Sequence, residues 1–354
     1  MSSFAKQHQS RRFAVAPMME LSDRHFRYLA RLLTKHTTLY TEMLTSKAVI
    51  HGDQEYLLGT GTDDQPVVLQ LGGSDAVEMA EAAQIGQSWG YNEININVGC
   101  PSDRVQSGRF GACLMAEPET VAACVSAMQN AVSVPVSVKC RLGIDRDDSY
   151  EALELFVRRV ADAGCEIFIV HARKAWLDGL SPKENRTIPP LRYPYVYRLK
   201  NTLPDLHVTI NGGVETWQDV HTHLEHVDGV MSGRKAYYQP AFLGVADHEV
   251  FSDAENAMPL AADAHALAEV ARHYARYVQG WVEKGVKPSA LTRHIVSLYH
   301  NVPGAKLWRR HLSENVNACQ DVVQLVEDGL QYVLPVPASN SSSVHGSSSG
   351  THGA

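Results

Sequence analysis

Glu93-Ile94-Asn95-Ile96-Asn97-Val98-Gly99-Cys100-Pro101-Ser102 is the stretch on which the reading of this chain turns. Residues 93–97 carry a short strand signal, and residues 95–102 bring two amides and one thiol to its end. Such a group suits a planar heterocycle held by hydrogen bonds, with a proton donor against it. A strand that ends in chemistry points to a fold that builds its site at strand C-termini.

Working outward, similar short apolar runs fall at residues 13–16, 39–41, 67–71, 134–139, 167–171, 207–211 and 229–232, which makes eight strands in all. Helical patterns lie between them, such as Phe26, Leu29 and Leu33 after Ser22, and residues 76–89 after Ser74. Strand–helix alternation predicts a parallel sheet, and eight units predict an α/β fold, a closed (β/α)8 TIM barrel. Nearly every strand ends in a polar or reactive residue: Pro17-Met18-Met19, Glu42, Gln70, Asn97 with Cys100, Lys139 with Arg141, His171, Asn211, and Gly233-Arg234. In a closed barrel these converge on one mouth. The last two strands end in Asn211-Gly212-Gly213 and Ser232-Gly233-Arg234, where glycines let backbone N–H groups approach a phosphate and the arginine adds charge.

Length and composition agree. A chain of 354 residues suits a barrel of about 250 residues plus an appendage, and 44% hydrophobic content can fill a large core. The expected division is an N-terminal extension 1–12, a barrel 13–255, an all-helical C-terminal domain 261–334 and a disordered low-complexity tail 338–354. Residues 1–12 are polar and basic without an apolar run, unlike a secretory signal, and no window has the roughly 18 apolar residues of a membrane span. The six cysteines form no C-x-x-C pair, so neither a metal site nor a redox dithiol is expected, and the chain reads as cytoplasmic with reduced thiols. Net charge is −7, yet residues 284–313 contain Lys284, Lys287, Arg293, Lys306, Arg309 and Arg310 and no acidic residue. Residues 173–200 are also basic. Each patch is either a polyanion contact or a solvated face.

Ala-Pro-Met-Met at 16–19, Gln-Leu-Gly-Gly at 70–73, Asn-Val-Gly-Cys-Pro-Ser at 97–102, Val-Lys-Cys-Arg at 138–141, His-Ala-Arg-Lys at 171–174, Ile-Asn-Gly-Gly at 210–213 and Ser-Gly-Arg at 232–234 together resemble the tRNA-dihydrouridine synthases. Leu-Ser-Pro-Lys-Glu-Asn-Arg at 180–186 resembles their bacterial A-type, and the match runs from residue 12 to about 333. Cys140 stands where many relatives have threonine, and Met18-Met19-Glu20 also departs from commoner versions.

The resemblance implies FMN in the barrel, NADPH as reductant, and reduction of uridines 20 and 20a in the D-loop of tRNA. It implies Cys100 as proton donor to C5, since a thiol with an ordinary pKa near 8.5 is mostly protonated at neutral pH. It further implies flavin contacts from the segment Ala16, Pro17, Met18 and Met19, from Gln70, and from Lys139 against the N1–C2=O2 edge. His171 would meet a flavin carbonyl or phosphate, or the uracil. Asn211, Gly212, Gly213, Gly233 and Arg234 would hold phosphate. Asn97 would bond the uracil edge, with Asn95 supporting the loop. For the elbow of tRNA the expected contacts are Lys183, Arg186, Tyr299, Lys306 and Arg309. The protein is read as a monomer without metal. Three alternatives stand beside this reading: a Schiff-base aldolase using Lys139, a non-catalytic tRNA-binding factor, and a free-pyrimidine reductase, which would not need two basic patches.

Overall fold

The computed structural model describes residues 11–59, 65–251 and 263–334. The expected tail 338–354, most of the extension 1–12, and residues 252–262 lie outside the described residues.

Eight parallel strands close a barrel in sequence order: β1 (Phe13–Val15), β2 (Thr38–Thr45), β3 (Val67–Gly72), β4 (Glu93–Val98), β5 (Val136–Arg141), β6 (Ile167–His171), β7 (His207–Asn211) and β8 (Gly229–Ser232). Closure is made by β1 against β8, with Phe13 opposite Val230 and Val15 opposite Ser232. Two strands differ from expectation by more than one residue at an end. β5 begins at Val136 because Pro135 has no N–H to donate, though its carbonyl still accepts from Ile94 N at 3.0 Å. β2 runs on to Thr45 through a register shift between Tyr40 and Met43, where Thr41 Oγ1 accepts from Gln70 N at 3.0 Å.

The two-residue strand period sorts the side chains into two layers. Phe13, Val15, Leu69, Leu71, Ile94, Ile96, Val138, Cys140, Phe168 and Val170 belong to the large apolar core that the helices cover. Their alternating neighbours Ala14, Ala16, Tyr40, Val68, Ile167, Ile169 and Met231 form a second, smaller cluster inside the barrel. The same alternation turns Gln70, Asn95, Asn97, Ser137, Lys139 and Asn211 to that inner side. The polar strand residues therefore converge because the period leaves them no other face.

Both helices are capped one residue later than the serines suggested. Asp23, not Ser22, caps Arg24–Leu33, accepting from His25 N and Phe26 N at 2.9 Å. Ser22 instead braces the turn before it, accepting from Met18 N at 2.9 Å. Asp75, not Ser74, caps Ala76–Ser88. An ionised carboxylate is the stronger acceptor for the positive end of a helix.

After the barrel the described chain is helical: Ala264–Val282, Pro288–Thr292, Ala305–Asn315 and Val322–Leu330. Tyr274, Trp308, Leu312 and Val326 are buried among these helices, in an apolar cluster continuous with that of the barrel. They dock on the first barrel helix through Asp23, which pairs with Arg293 at 2.7 Å and His294 at 3.1 Å. Burial pushes the Asp23 carboxyl up. The His294 hydrogen bond and charge, the Phe26 N–H and Arg293 outweigh it and hold the group well below the usual carboxylate range. His25 Nδ1 adds a bond to Tyr277 OH at 2.8 Å, and Tyr28 stacks on Tyr277 at 3.8 Å. No helix among the described residues is long and apolar enough to cross a membrane.

Candidate active site

A cavity of about 400 Å³ opens at the C-terminal mouth of the barrel, within the range typical of cofactor and substrate pockets. Each residue expected at the flavin lines it: Ala16, Pro17, Met18, Met19, Gln70, Lys139, His171, Asn211, Gly212, Gly213, Gly233 and Arg234. Asn97, Cys100 and Arg186 line it as well.

Cys100 sits, partly exposed, in the turn after β4. Asn97 builds that turn: its Oδ1 accepts from Gly99 N at 3.1 Å and Cys100 N at 2.9 Å, while its Nδ2 donates to Gln70 Oε1 at 2.8 Å. Asn95 lies deeper, joining Gln70 at 2.7 Å to Ser137 at 2.8 Å. The expected roles are thus redrawn. Asn97 supports the loop directly and keeps one amide hydrogen for a ligand, whereas Asn95 is fully buried and reaches the loop only through Gln70 and Asn97. Cys100 Sγ lies 3.5 Å from Ser102 Oγ, and the Cys100 carbonyl accepts from Ala112 N at 2.9 Å.

Positive charge dominates the mouth. Lys139, Arg141, Arg173, Arg186 and Arg234 make no ion pair to a described carboxylate. Burial, then the Arg141 charge, lowers the Lys139 ammonium to about 8 from an ordinary 10.5. His171 is pushed well below 6.5 by burial and then by Arg141, Lys139, Arg173 and Arg234, so it is neutral, with one N–H to give. Uncompensated cations around a cavity call for an anionic ligand.

Arg141 is the functional residue that sequence reasoning left without a role. It is 3% exposed, and it donates to Gly99 O at 3.0 Å, Lys174 O at 3.1 Å and Asn185 O at 2.9 Å. It therefore ties the Cys100 turn to the loop after β6. That loop is organised by Asn185, whose side chain meets Trp176 N and O, each at 2.8 Å, and Leu180 O at 3.1 Å. The signal was Lys-x-Arg at a strand end, where period two puts both cations on one face. The glycines after β7 are demanded by geometry: Gly212 has φ of 111°, and a Cβ there would lie 2.7 Å from His171 Cδ2.

The expected tRNA contacts divide. Arg186 is at the cavity, Lys183 is exposed three residues before it, and Lys306 and Arg309 lie exposed and half-buried on the helix Ala305–Asn315, away from the cavity lining. Tyr299 is corrected. It is 2% exposed and lies edge-on to Trp308 at 5.1 Å, a core aromatic pair with no surface to offer a nucleotide. The aromatic at the rim is Tyr238, 53% exposed beside Met19 at 60%. No motif marked it.

The dihydrouridine synthase (Dus) family model matches residues 14–332. Proteins named tRNA-dihydrouridine(20/20a) synthase are similar over nearly the whole chain. That of Synechocystis sp. is 53% identical over 90% of this chain and 93% of its own, and that of Yersinia pestis is 51% identical over 93% of each. That of Escherichia coli K12 is 49% identical over 92% of each chain. A solved 2-naphthoyl-CoA reductase complex shares the fold, with a TM-score of 0.51 at 9% identity over 68% of this chain and 50% of that one. From its eight-stranded barrel, the residues at its mouth and these likenesses, the chain belongs to the dihydrouridine synthase family, whose members are flavin-dependent.

Proposed function

We propose that this protein is a flavin reductase that converts uridine to 5,6-dihydrouridine in the D-loop of tRNA, at positions 20 and 20a, with FMN as cofactor and NADPH as reductant. One observation carries the reading: a single cavity brings Cys100 together with cations that lack carboxylate partners. The relatives' names supply the substrate.

The residues present suit FMN. Lys139 can neutralise the electron-rich edge of a reduced isoalloxazine, Gln70 keeps one N–H for the ring, and the segment 16–19 lies along the cavity wall. Gly212, Gly213, Gly233 and Arg234 offer backbone N–H groups and charge to its phosphate. When bound and reduced, FMN supplies a hydride to C6 of the uracil. Cys100 gives the proton to C5, and Ser102 Oγ, at 3.5 Å, is placed to pass a replacement. Neutral His171 donates a hydrogen bond to the uracil or to FMN without adding a further charge.

The uridine must leave the tRNA stack to reach this depth, at a cost of a few kcal/mol. Backbone contacts from Lys183, Arg186, Lys306 and Arg309 offset it. We take the barrel, about residues 13–255, as the catalytic domain and 261–334 as a tRNA clamp, in a cytoplasmic monomer.

Tyr238 adds a stacking face for a base beside the everted one. Replacing it with Ala raises the KM for tRNA by roughly 5- to 100-fold, with flavin content unchanged. Tyr238→Phe restores binding, because the ring and not the hydroxyl is used. Titration of tRNA against both variants checks this.

The function itself is tested with purified protein and an unmodified tRNA transcript. The expected result is a yellow protein absorbing near 450 nm that forms dihydrouridine when NADPH is added. Colourless protein that is trapped by borohydride would instead indicate Schiff-base chemistry at Lys139.

A further inference from the structure

The interior of the barrel below the cavity holds a continuous column of polar side chains. It starts at Glu93, 3% exposed, whose Oε2 is paired by Arg11 at 2.8 Å. Ser137 Oγ donates to Glu93 Oε1 at 2.5 Å, and Asn95 Nδ2 donates to Ser137 Oγ at 2.8 Å. Gln70 Nε2 donates to Asn95 Oδ1 at 2.7 Å, and Asn97 Nδ2 to Gln70 Oε1 at 2.8 Å. Asn97 Oδ1 completes the run by accepting from the backbone of Gly99 and Cys100.

Every bond in this column points the same way. The direction is forced from both ends, since a carboxylate can only accept and a backbone N–H can only donate. With its hydroxyl proton given to Glu93, Ser137 must accept from Asn95. That turns the Asn95 oxygen to Gln70, and the Gln70 oxygen to Asn97. A reversed amide anywhere would set oxygen against oxygen in a buried site, where an unmade hydrogen bond is costly.

We propose that Glu93, four residues and roughly 13 Å of strand below Asn97, fixes the orientation of Gln70, Asn97 and the Cys100 turn through Ser137 and Asn95, which are positioning residues for the reaction. None of the three touches the cavity. They act by leaving each amide one allowed orientation, so that the thiol meets its substrate without reorganisation.

The inference rests on the proposed role of Cys100 only for its kinetic arm. Ser137→Ala removes the link between Glu93 and Asn95 at a fully buried position. Expected are a fall in kcat on the order of 10- to 100-fold, a KM for tRNA within about twofold of the parent, and a change of about threefold or more in the Cys100 alkylation rate. That rate is read peptide by peptide with iodoacetamide on flavin-free protein, so it reports the geometry of the turn whatever Cys100 does in turnover. If Ser137→Ala fails to fold, Ser137→Cys, with similar volume and a weak donor, is measured in the same way. A changed alkylation rate with unchanged kcat would leave the column intact and overturn the role of Cys100. Unchanged alkylation overturns the column, and so does a loss expressed only in KM.

Discussion

Cys100→Ala lowers dihydrouridine formation by on the order of 100- to 10,000-fold, while tRNA affinity and flavin content stay close to those of the parent. In the proposed reaction the thiol is the proton source for C5, and no other cysteine lines the cavity. Cys124, Cys140 and Cys165 are buried, and burial pushes their thiols up, to about 11 for Cys124 and about 12 for the other two. Cys113 is half-buried, is also pushed up by burial, and is engaged with Phe110 O at 3.1 Å. The turn that carries residue 100 is held by backbone bonds to Asn97 and Ala112, so removing the side chain leaves it in place. Loss of tRNA binding together with activity would mean that the thiol is structural. Single-turnover kinetics with pre-reduced enzyme separate the two.

Lys139→Met has an opposite pair of effects. Flavin is lost on purification, and the flavin-free protein becomes more stable by about 1–3 kcal/mol. The ammonium sits in a cavity where burial and Arg141 disfavour its charge, and no described carboxylate compensates it. A half-buried cation kept without a carboxylate partner costs stability and is retained for its ligand. The pH dependence follows. Below about 8 the empty folded protein carries the full penalty of the charged lysine. Between about 8 and the ordinary 10.5 the unfolded chain holds a proton that the folded chain has released. The stability of the flavin-free parent therefore rises with pH across that window. Affinity for anionic reduced flavin falls as pH climbs through about 8, because the partner charge disappears. Thermal unfolding of flavin-free parent and variant against pH checks both. A less stable variant, or a parent with no such rise, contradicts the account.

The fold was legible because strand period and strand-end chemistry agree. β6, β7 and β8 have the bounds that the apolar runs predict. Where the reading slipped, the reason is local. The helix caps moved from Ser22 and Ser74 to Asp23 and Asp75, since two adjacent cap-competent residues cannot be ranked without the backbone. Proline at 135 delayed β5, and a bulge lengthened β2. Residues fixed by strand register were legible at the site, from Gln70 to Asn211. Those fixed by contacts between loops were not. Arg141 takes its role from three carbonyls that are distant in sequence, and Asn97 and Asn95 differ only in which neighbour stands opposite. Tyr299 and Tyr238 are both tyrosines in basic surroundings. Only packing shows that the first is core and the second is rim.

Position-resolved mapping of dihydrouridine in tRNA tests the central claim most directly, in a bacterial host stripped of its own tRNA-dihydrouridine synthases and carrying either this protein or its Cys100→Ala variant. The account predicts modification at positions 20 and 20a with the parent and none above background with the variant at equal protein levels. Full modification by the variant would contradict it, as would modification by the parent only outside the D-loop.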